Sequence, residues 1–302
     1  RKVRHNMAVI SAKLVKELRD LTGAGMLDCK KALEATEGNV KEAVTWLREK
    51  GIASAQKKAG RIAAEGLSNI FIDGNKAVII ELNSETDFVA KNEQFLNLID
   101  KIGQTILANN PETNEDALAL SVGEDTINDL VVNATATIGE KITFRRFAVL
   151  NKEDNQVFGS YKHNGGTISA VVVLDGDNED LAKDMAMQVA SMNPSYVSIK
   201  DVPEEIVNKE TEIQVEIVKN DAELSSKPEK VIQGIIKGRV SKTLQDVSLN
   251  DQIFFKDGSS KVSQVLKDAK TTVVEFVRYE VGEGIEKREE DFAAEVAKAS
   301  QV

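Results

Sequence analysis

Histidine and cysteine are nearly missing from this chain. Two histidines, His5 and His163, and one cysteine, Cys29, stand in 302 residues. No imidazole pair exists for metal binding or acid–base work, and one thiol excludes a thiolate zinc site. A single cysteine cannot close an internal disulfide, which fits a reducing cytoplasm. Aromatic residues make up only 5%, so large aromatic binding platforms are not expected. No run approaches the ~20 apolar residues of a membrane span, and no Gly-rich phosphate loop is present. The net charge is −10, and an acidic body argues against gripping nucleic acid by its phosphates. Carboxylates such as Glu283, Glu286, Glu289 and Glu290 read as a solvated face. The expectation is a cytoplasmic chain with no cofactor, no metal, no catalytic residue, no membrane contact and no direct nucleic acid contact. A protein partner remains.

With 41% hydrophobic and 29% charged residues over this length, several modules are expected rather than one core. The opening Arg1-Lys2-Val3-Arg4-His5-Asn6 reads as a remnant of cloning or upstream translation, with Met7 as the natural start. Ala8-Val9-Ile10 is followed at once by Ser11, Lys13, Lys16 and Glu17, which leaves no secretory apolar core.

Three short helices are expected over 11–51. Ser11 caps the first, which places Leu14, Leu18 and Leu21 on one face. Thr22-Gly23-Ala24-Gly25 breaks it before Met26-Leu27-Asp28-Cys29. Asn39 and Glu42 form a capping box for the third, which is expected to end at Gly51. The pattern is that of a small bundle of the ubiquitin-associated (UBA) type, with Gly25-Met26-Leu27 as its exposed loop. Residues 52–66 read as a linker with some helix.

A strand around 67–72, the Asp73-Gly74-Asn75 turn and a strand over 77–82 form a hairpin. Next comes Glu81-Leu82-Asn83-Ser84-Glu85-Thr86-Asp87-Phe88-Val89-Ala90-Lys91, followed by Phe95, Leu98, Ile99, Ile102 and Ile106 at helical spacing. Thr86-Asp87-Phe88-Val89 therefore falls on a strand-to-helix corner, where Thr86 or Asp87 is a plausible N-cap. Phe88 either roofs the local core or serves as a wedge for a partner.

A further helix is expected over 127–136 and a strand over 141–150. The same order then returns: strand 157–161, turn 162–166, strand 168–174, an acidic corner Asp177-Asn178-Glu179-Asp180, and a helix bearing Leu181, Met185 and Val189. The second corner lacks Thr-Asp-Phe-Val, which favours the partner reading of Phe88. Pro203 opens a helix with Ile206, Ile213 and Ile217 on one side. Ser225 to Pro228 breaks it, and a return helix completes a projecting hairpin. Strands are expected at 252–255 and 272–279, and a last helix over 289–300 bears Phe292.

The fold class is thus α+β: a three-helix UBA-like bundle, two related α+β core subdomains with antiparallel sheets, a projecting helical hairpin and a C-terminal helix. The boundaries are 1–6 for the remnant, 7–60 for the bundle and linker, and 61–150 for the first subdomain. The second subdomain takes 151–202 with 243–281, the hairpin 203–242 and the C-terminal module 282–302.

Two segments carry a resemblance. Leu18-Arg19-Asp20-Leu21-Thr22-Gly23-Ala24-Gly25-Met26-Leu27-Asp28-Cys29-Lys30-Lys31-Ala32-Leu33 resembles the N-terminal signature of the elongation factor Ts family, and Glu81 to Lys91 resembles its second signature. The likeness extends over essentially everything from Met7, as in a full-length bacterial-type member. It implies a nucleotide exchange factor for elongation factor Tu, the GTPase that carries aminoacyl-tRNA to the ribosome. By that likeness Thr86, Asp87, Phe88 and Val89 would approach the partner's Mg²⁺ site, with Phe88 as the wedge. Lys16, Arg19, Met26, Leu27 and Lys30 would touch the same GTPase domain. His163 would face the partner's other domains, and the last helix with Phe292 would also dock. The hairpin corresponds to a dimerisation element that varies between members, leaving a homodimer or a heterotetramer open. The alternatives are an adaptor or chaperone-like binder of a GTPase or ubiquitin-like partner without exchange, and a hydrolase with His163 essential.

Overall fold

The computed structural model describes residues 10–287. The remnant and the last helix with Phe292 therefore lie outside the described residues.

The bundle consists of α1 (Ala12–Thr22), α2 (Met26–Ala35) and α3 (Val40–Lys58). Each helix starts where the sequence offers it a start. The Ser11 hydroxyl accepts from the Leu14 amide and the Asn39 side chain from the Glu42 amide, each satisfying an amide left over in a first turn. Gly23, at φ 69°, ends α1 in the left-handed conformation. Val15, Leu18, Cys29, Ala32, Leu33 and Ala43 form the bundle's core.

Leu21, on the same face as Leu14 and Leu18, is 65% exposed, because α1 ends one residue later. One expectation fails here: Gly51 does not stop α3, which runs on to Lys58. Gly51 is buried mid-helix, where an added Cβ would make ordinary contact, 3.5 Å from the Ala136 side chain.

The first sheet has the order β1-β2-β5, from β1 (Glu65–Asp73), β2 (Lys76–Ser84) and β5 (Thr143–Asn151). Strand β2 is buried from Ala77 to Ser84, as expected of a middle strand covered on both faces. Between β2 and β5 come α4 (Glu93–Ala108), α5 (Asn114–Leu118), the short pair β3 (Ser121–Val122) and β4 (Asp125–Thr126), and α6 (Ile127–Ile138). The buried stripe Phe95, Leu98, Ile99, Ile102 and Ile106 of α4 follows the three-and-four spacing read from the sequence.

The second sheet has the order β6-β7-β8, from β6 (Gln156–His163), β7 (Ile168–Asp175) and β8 (Val273–Glu280). Strands β6 and β7 pair antiparallel from Gln156↔Asp175 to His163↔Ile168. Helix α7 (Glu179–Met192) packs on them, with Leu181, Met185, Ala186 and Val189 in the core beside Val172 and Leu174. The hairpin is α8 (Glu204–Asn220), a single turn α9 (Ala222–Ser225) and α10 (Glu229–Asp246). Val202, Val240 and Leu244 fill its base, while Ile206, Ile213 and Ile217 of α8 stay about 45% exposed. Helix α11 (Val262–Asp268) precedes β8. The strand expected at 252–255 is absent. Ile253 makes one isolated bridge to Lys261, because the Gln252 amide closes a turn on Ser248 and the Phe255 amide is taken by the Gln188 side chain.

The described residues divide into two compact units: 10–71, 80–147 and 280–287 form one, and 72–79 and 148–279 the other. The bundle, the corner after β2, α4 and α6 belong to the first, and β6, β7, α7 and the hairpin to the second. Hairpin, corner, helix occurs twice along the chain, but the helix meets the sheet differently. In the first unit Phe71 of β1 lies against Gly103 of α4, where a Cβ would fall 2.0 Å from the ring. In the second, Gly159 of β6 sits under α7, where a Cβ would fall 1.9 Å from the Ala182 carbonyl oxygen. Among the described residues, no helix is long and apolar enough to cross a membrane.

Candidate functional site

The site is the connection from β2 to α4. Eight residues, 85–92, link the two elements. In the second unit three residues, 176–178, make the corresponding link from β7 to α7. Both helices start on an asparagine cap: Asn178 accepts from the Leu181 amide, and Asn92 accepts from the amides of Gln94 and Phe95. The cap of α4 is therefore Asn92, not Thr86 or Asp87. The extra residues of the first link form a separate feature, closed by one 3-10 turn, Val89–Lys91.

Phe88 opens that turn. Its own backbone is helical, and its carbonyl accepts from the Lys91 amide at 3.1 Å. Its side chain is 79% exposed, so it is no roof over the core. Asp87 beside it is exposed, Val89 is half-buried and Ala90 is buried. An aromatic ring left in water forgoes roughly 1.5–3 kcal/mol of burial, and here it stands on a well-tied base. The Ser84 hydroxyl donates to the Thr86 carbonyl at 2.8 Å. The Glu140 carboxylate accepts from the amides of Glu85 and Thr86 at 3.1 and 3.0 Å and from the Thr86 hydroxyl at 2.7 Å. The Glu85 carboxylate in turn accepts from the Lys141 amide at 2.7 Å and pairs with Arg61 at 3.2 Å.

Beneath the corner, Glu81 of β2 is fully buried and paired with Arg145 at 3.1 Å and Arg146 at 2.7 Å. Burial pushes its carboxyl up, but the Gly282 amide, the Asn83 amide and Arg146 outweigh this and hold it below the ordinary glutamate range. Gly282 donates to Glu81 at 3.0 Å, and an Arg145 guanidinium nitrogen donates to the Glu283 carbonyl. One carboxylate thus ties β2, β5 and the segment after β8 together.

The other sequence-derived site residues fall in two places. Lys16, Arg19, Met26, Leu27 and Lys30 are all exposed on α1 and α2, in the same unit as the corner. Met26 and Leu27 are 49% and 65% exposed, so neither is core, and Leu21 extends the apolar surface across the Gly23–Gly25 turn. Lys30 makes only a loose 3.9 Å pair with Glu34. The bundle is fastened to α6 by Arg48–Asp129 at 2.6 Å and by the Asn133 amide to the Thr22 carbonyl at 3.2 Å. A cleft of about 610 Å³ lined by Asp20, Leu21, Asn97 and Lys101 lies beside these contacts. Cys29 is buried, which pushes its thiol up and makes it a poor nucleophile. His163 belongs to the second unit, exposed at the end of β6, with Nδ1 3.1 Å from the Tyr161 hydroxyl.

A family model described as Elongation factor TS matches residues 85–283, a span that begins at the corner itself. Elongation factor Ts of Acholeplasma laidlawii is 53% identical over 288 residues, covering 95% of this chain and 97% of the relative. The chain belongs to the elongation factor Ts family. Elongation factor Ts of Pediococcus pentosaceus is 49% identical over 292 residues, with 97% and 99% covered, and that of Spiroplasma citri is 48% identical over 288 residues, with 95% and 97% covered. Membership makes this chain a translation elongation factor, mixed in helix and antiparallel sheet as the family reading implied. Glu140, Glu85 and Arg61 were not singled out from the sequence. Glu140 lies 54 residues from Thr86, and an acid after a helix-ending glycine carries no local signal.

Proposed function

We propose that this chain is a guanine nucleotide exchange factor for elongation factor Tu. It binds the GDP-bound GTPase, disturbs the Mg²⁺ and nucleotide site so that GDP leaves, and lets GTP rebind. The observation that carries this reading is Phe88: a large apolar side chain, 79% exposed, on a short turn whose base is held by a dense set of hydrogen bonds. Thr86, Asp87, Phe88 and Val89 form the wedge. Lys16, Arg19, Met26, Leu27 and Lys30 hold the GTPase domain, and His163 and Phe292 make further partner contacts. The work is done in the cytoplasm.

The physics suits such a role. Mg²⁺ neutralises phosphate charge, so displacing groups that hold it weakens nucleotide binding without any bond being broken in the factor. By linkage, a factor that weakens nucleotide binding is itself released by nucleotide to the same extent. Burying one Phe supplies roughly 1.5–3 kcal/mol, about one to two orders of magnitude in rate.

The test is the release of a fluorescent GDP from elongation factor Tu with and without this chain. Acceleration of release, with the complex dissociated again by excess GDP, is the expected result. A complex that forms on gel filtration and leaves release unchanged would make the chain an adaptor and sink the exchange reading.

A further inference from the structure

We propose that Glu140 is a positioning residue for exchange, acting through Phe88. The inference rests on the exchange reading above and deepens it. Helix α6 ends at Gly139, whose φ of 88° turns the chain sharply, and the far side of the turn is fixed by the Ile142 amide on the Thr135 hydroxyl at 3.1 Å. Glu140 is thereby delivered to the first two residues of the corner. One of its carboxylate oxygens accepts from both the Glu85 and Thr86 amides, and the other takes the Thr86 hydroxyl at 2.7 Å.

The arrangement is reciprocal. The Glu85 carboxylate reaches back to the Lys141 amide at 2.7 Å and is neutralised by Arg61, while the Lys141 ammonium donates to the Arg61 carbonyl at 2.9 Å. Two carboxylates therefore bind each other's backbone, and the segments 85–86 and 140–141 cannot separate without breaking several charge-assisted bonds. Phe88 leaves this clamp two residues later. Its ring is 79% exposed, so its direction is set by the clamp. A wedge that must reach one pocket gains from arriving ordered, because ordering a loop and its side chain on binding costs on the order of tenfold in affinity or rate.

The experiment measures fluorescent GDP release from elongation factor Tu in a double-mutant cycle on the full chain. Glu140→Ala is expected to slow release on the order of tenfold. Glu140→Gln keeps a carbonyl for the two amides and an NH2 for the Thr86 hydroxyl, so it should stay within about twofold of the parent. In a Phe88→Ala background, Glu140→Ala should add nothing, because the group it orients is gone. If Glu140→Ala does not fold, Thr86→Val, which removes only the 2.7 Å bond, carries the same cycle and should slow release roughly threefold. Release at the parent rate, or an equal slowing in both backgrounds, overturns the positioning role while leaving the exchange reading intact. A parent chain that does not accelerate release overturns both.

Discussion

Phe88 and Glu81 sit three residues to either side of the same dipeptide, 84–85, and have opposite fates. One is left in water on a tied turn, and the other is a charge sealed under the sheet. Sealing a carboxylate is costly unless it is paired and hydrogen-bonded, and Glu81 has two arginines and two amide donors. We expect Glu81→Gln to destabilise the fold by about 3 kcal/mol, the low end for removing one partner of a buried pair, since both arginines keep contact with water. The pH dependence follows from the sign of the shift. The folded carboxyl titrates below an ordinary glutamate, near ~4.3 when unfolded. Its contribution is complete above that value and is lost as pH falls through the lower folded value. Urea midpoints measured from about pH 6 down to about pH 3 should fall for the parent and fall less steeply for Glu81→Gln. Parallel curves would show that Glu81 does not carry the acid sensitivity.

At the scale of elements, the two hairpin-and-helix repeats were legible because an apolar strand, a turn and a helical stripe recur in order. Their difference was only half legible. The missing Thr-Asp-Phe-Val in the second copy was visible, and it argued correctly against Phe88 as core. The eight-against-three length of the two links was not, because the caps that mark the helix starts, Asn92 and Asn178, compete with several other polar residues nearby. Leu21 misled because it shares a helical face with Leu14 and Leu18, yet it stands one residue from the end of α1 and is 65% exposed. Gly51 misled because a glycine after a charged turn looks like a stop, yet it lies buried inside α3, which runs on to Lys58.

Close packing of helix on strand gives a direct test at this scale. Gly159→Ala would drive a methyl to 1.9 Å from the Ala182 carbonyl oxygen, a backbone atom that cannot rotate away. A loss of about 2–3 kcal/mol is expected by urea denaturation. A change within about 0.5 kcal/mol, the size seen for uninvolved surface positions, would mean that α7 shifts off β6 freely. The bundle's apolar edge gives another test. A Leu21→Ser/Met26→Ser/Leu27→Ser chain should melt within a few degrees of the parent, because all three side chains are exposed. It should bind elongation factor Tu at least tenfold more weakly by titration calorimetry, the cost of losing well-packed apolar contacts at an interface. Unchanged affinity would remove the bundle from the proposed contact surface.

For the molecule as a whole, scarcity in the sequence was as informative as any motif. Two histidines, one cysteine and an acidic balance turned the reading toward a protein partner, and the family match gives the translation elongation role. What no local pattern could show is the support for the corner, because Glu140 and Arg61 come to residues 85–86, and Gly282 to Glu81, from distant parts of the chain. The central claim is that Phe88 acts in exchange more than in affinity. It is tested most directly by measuring, for the parent and for Phe88→Ala, both the rate of fluorescent GDP release from elongation factor Tu and the dissociation constant of the complex. The account predicts release slowed by about one to two orders of magnitude with affinity weakened far less. Equal losses in rate and affinity would contradict it and leave Phe88 as an ordinary contact.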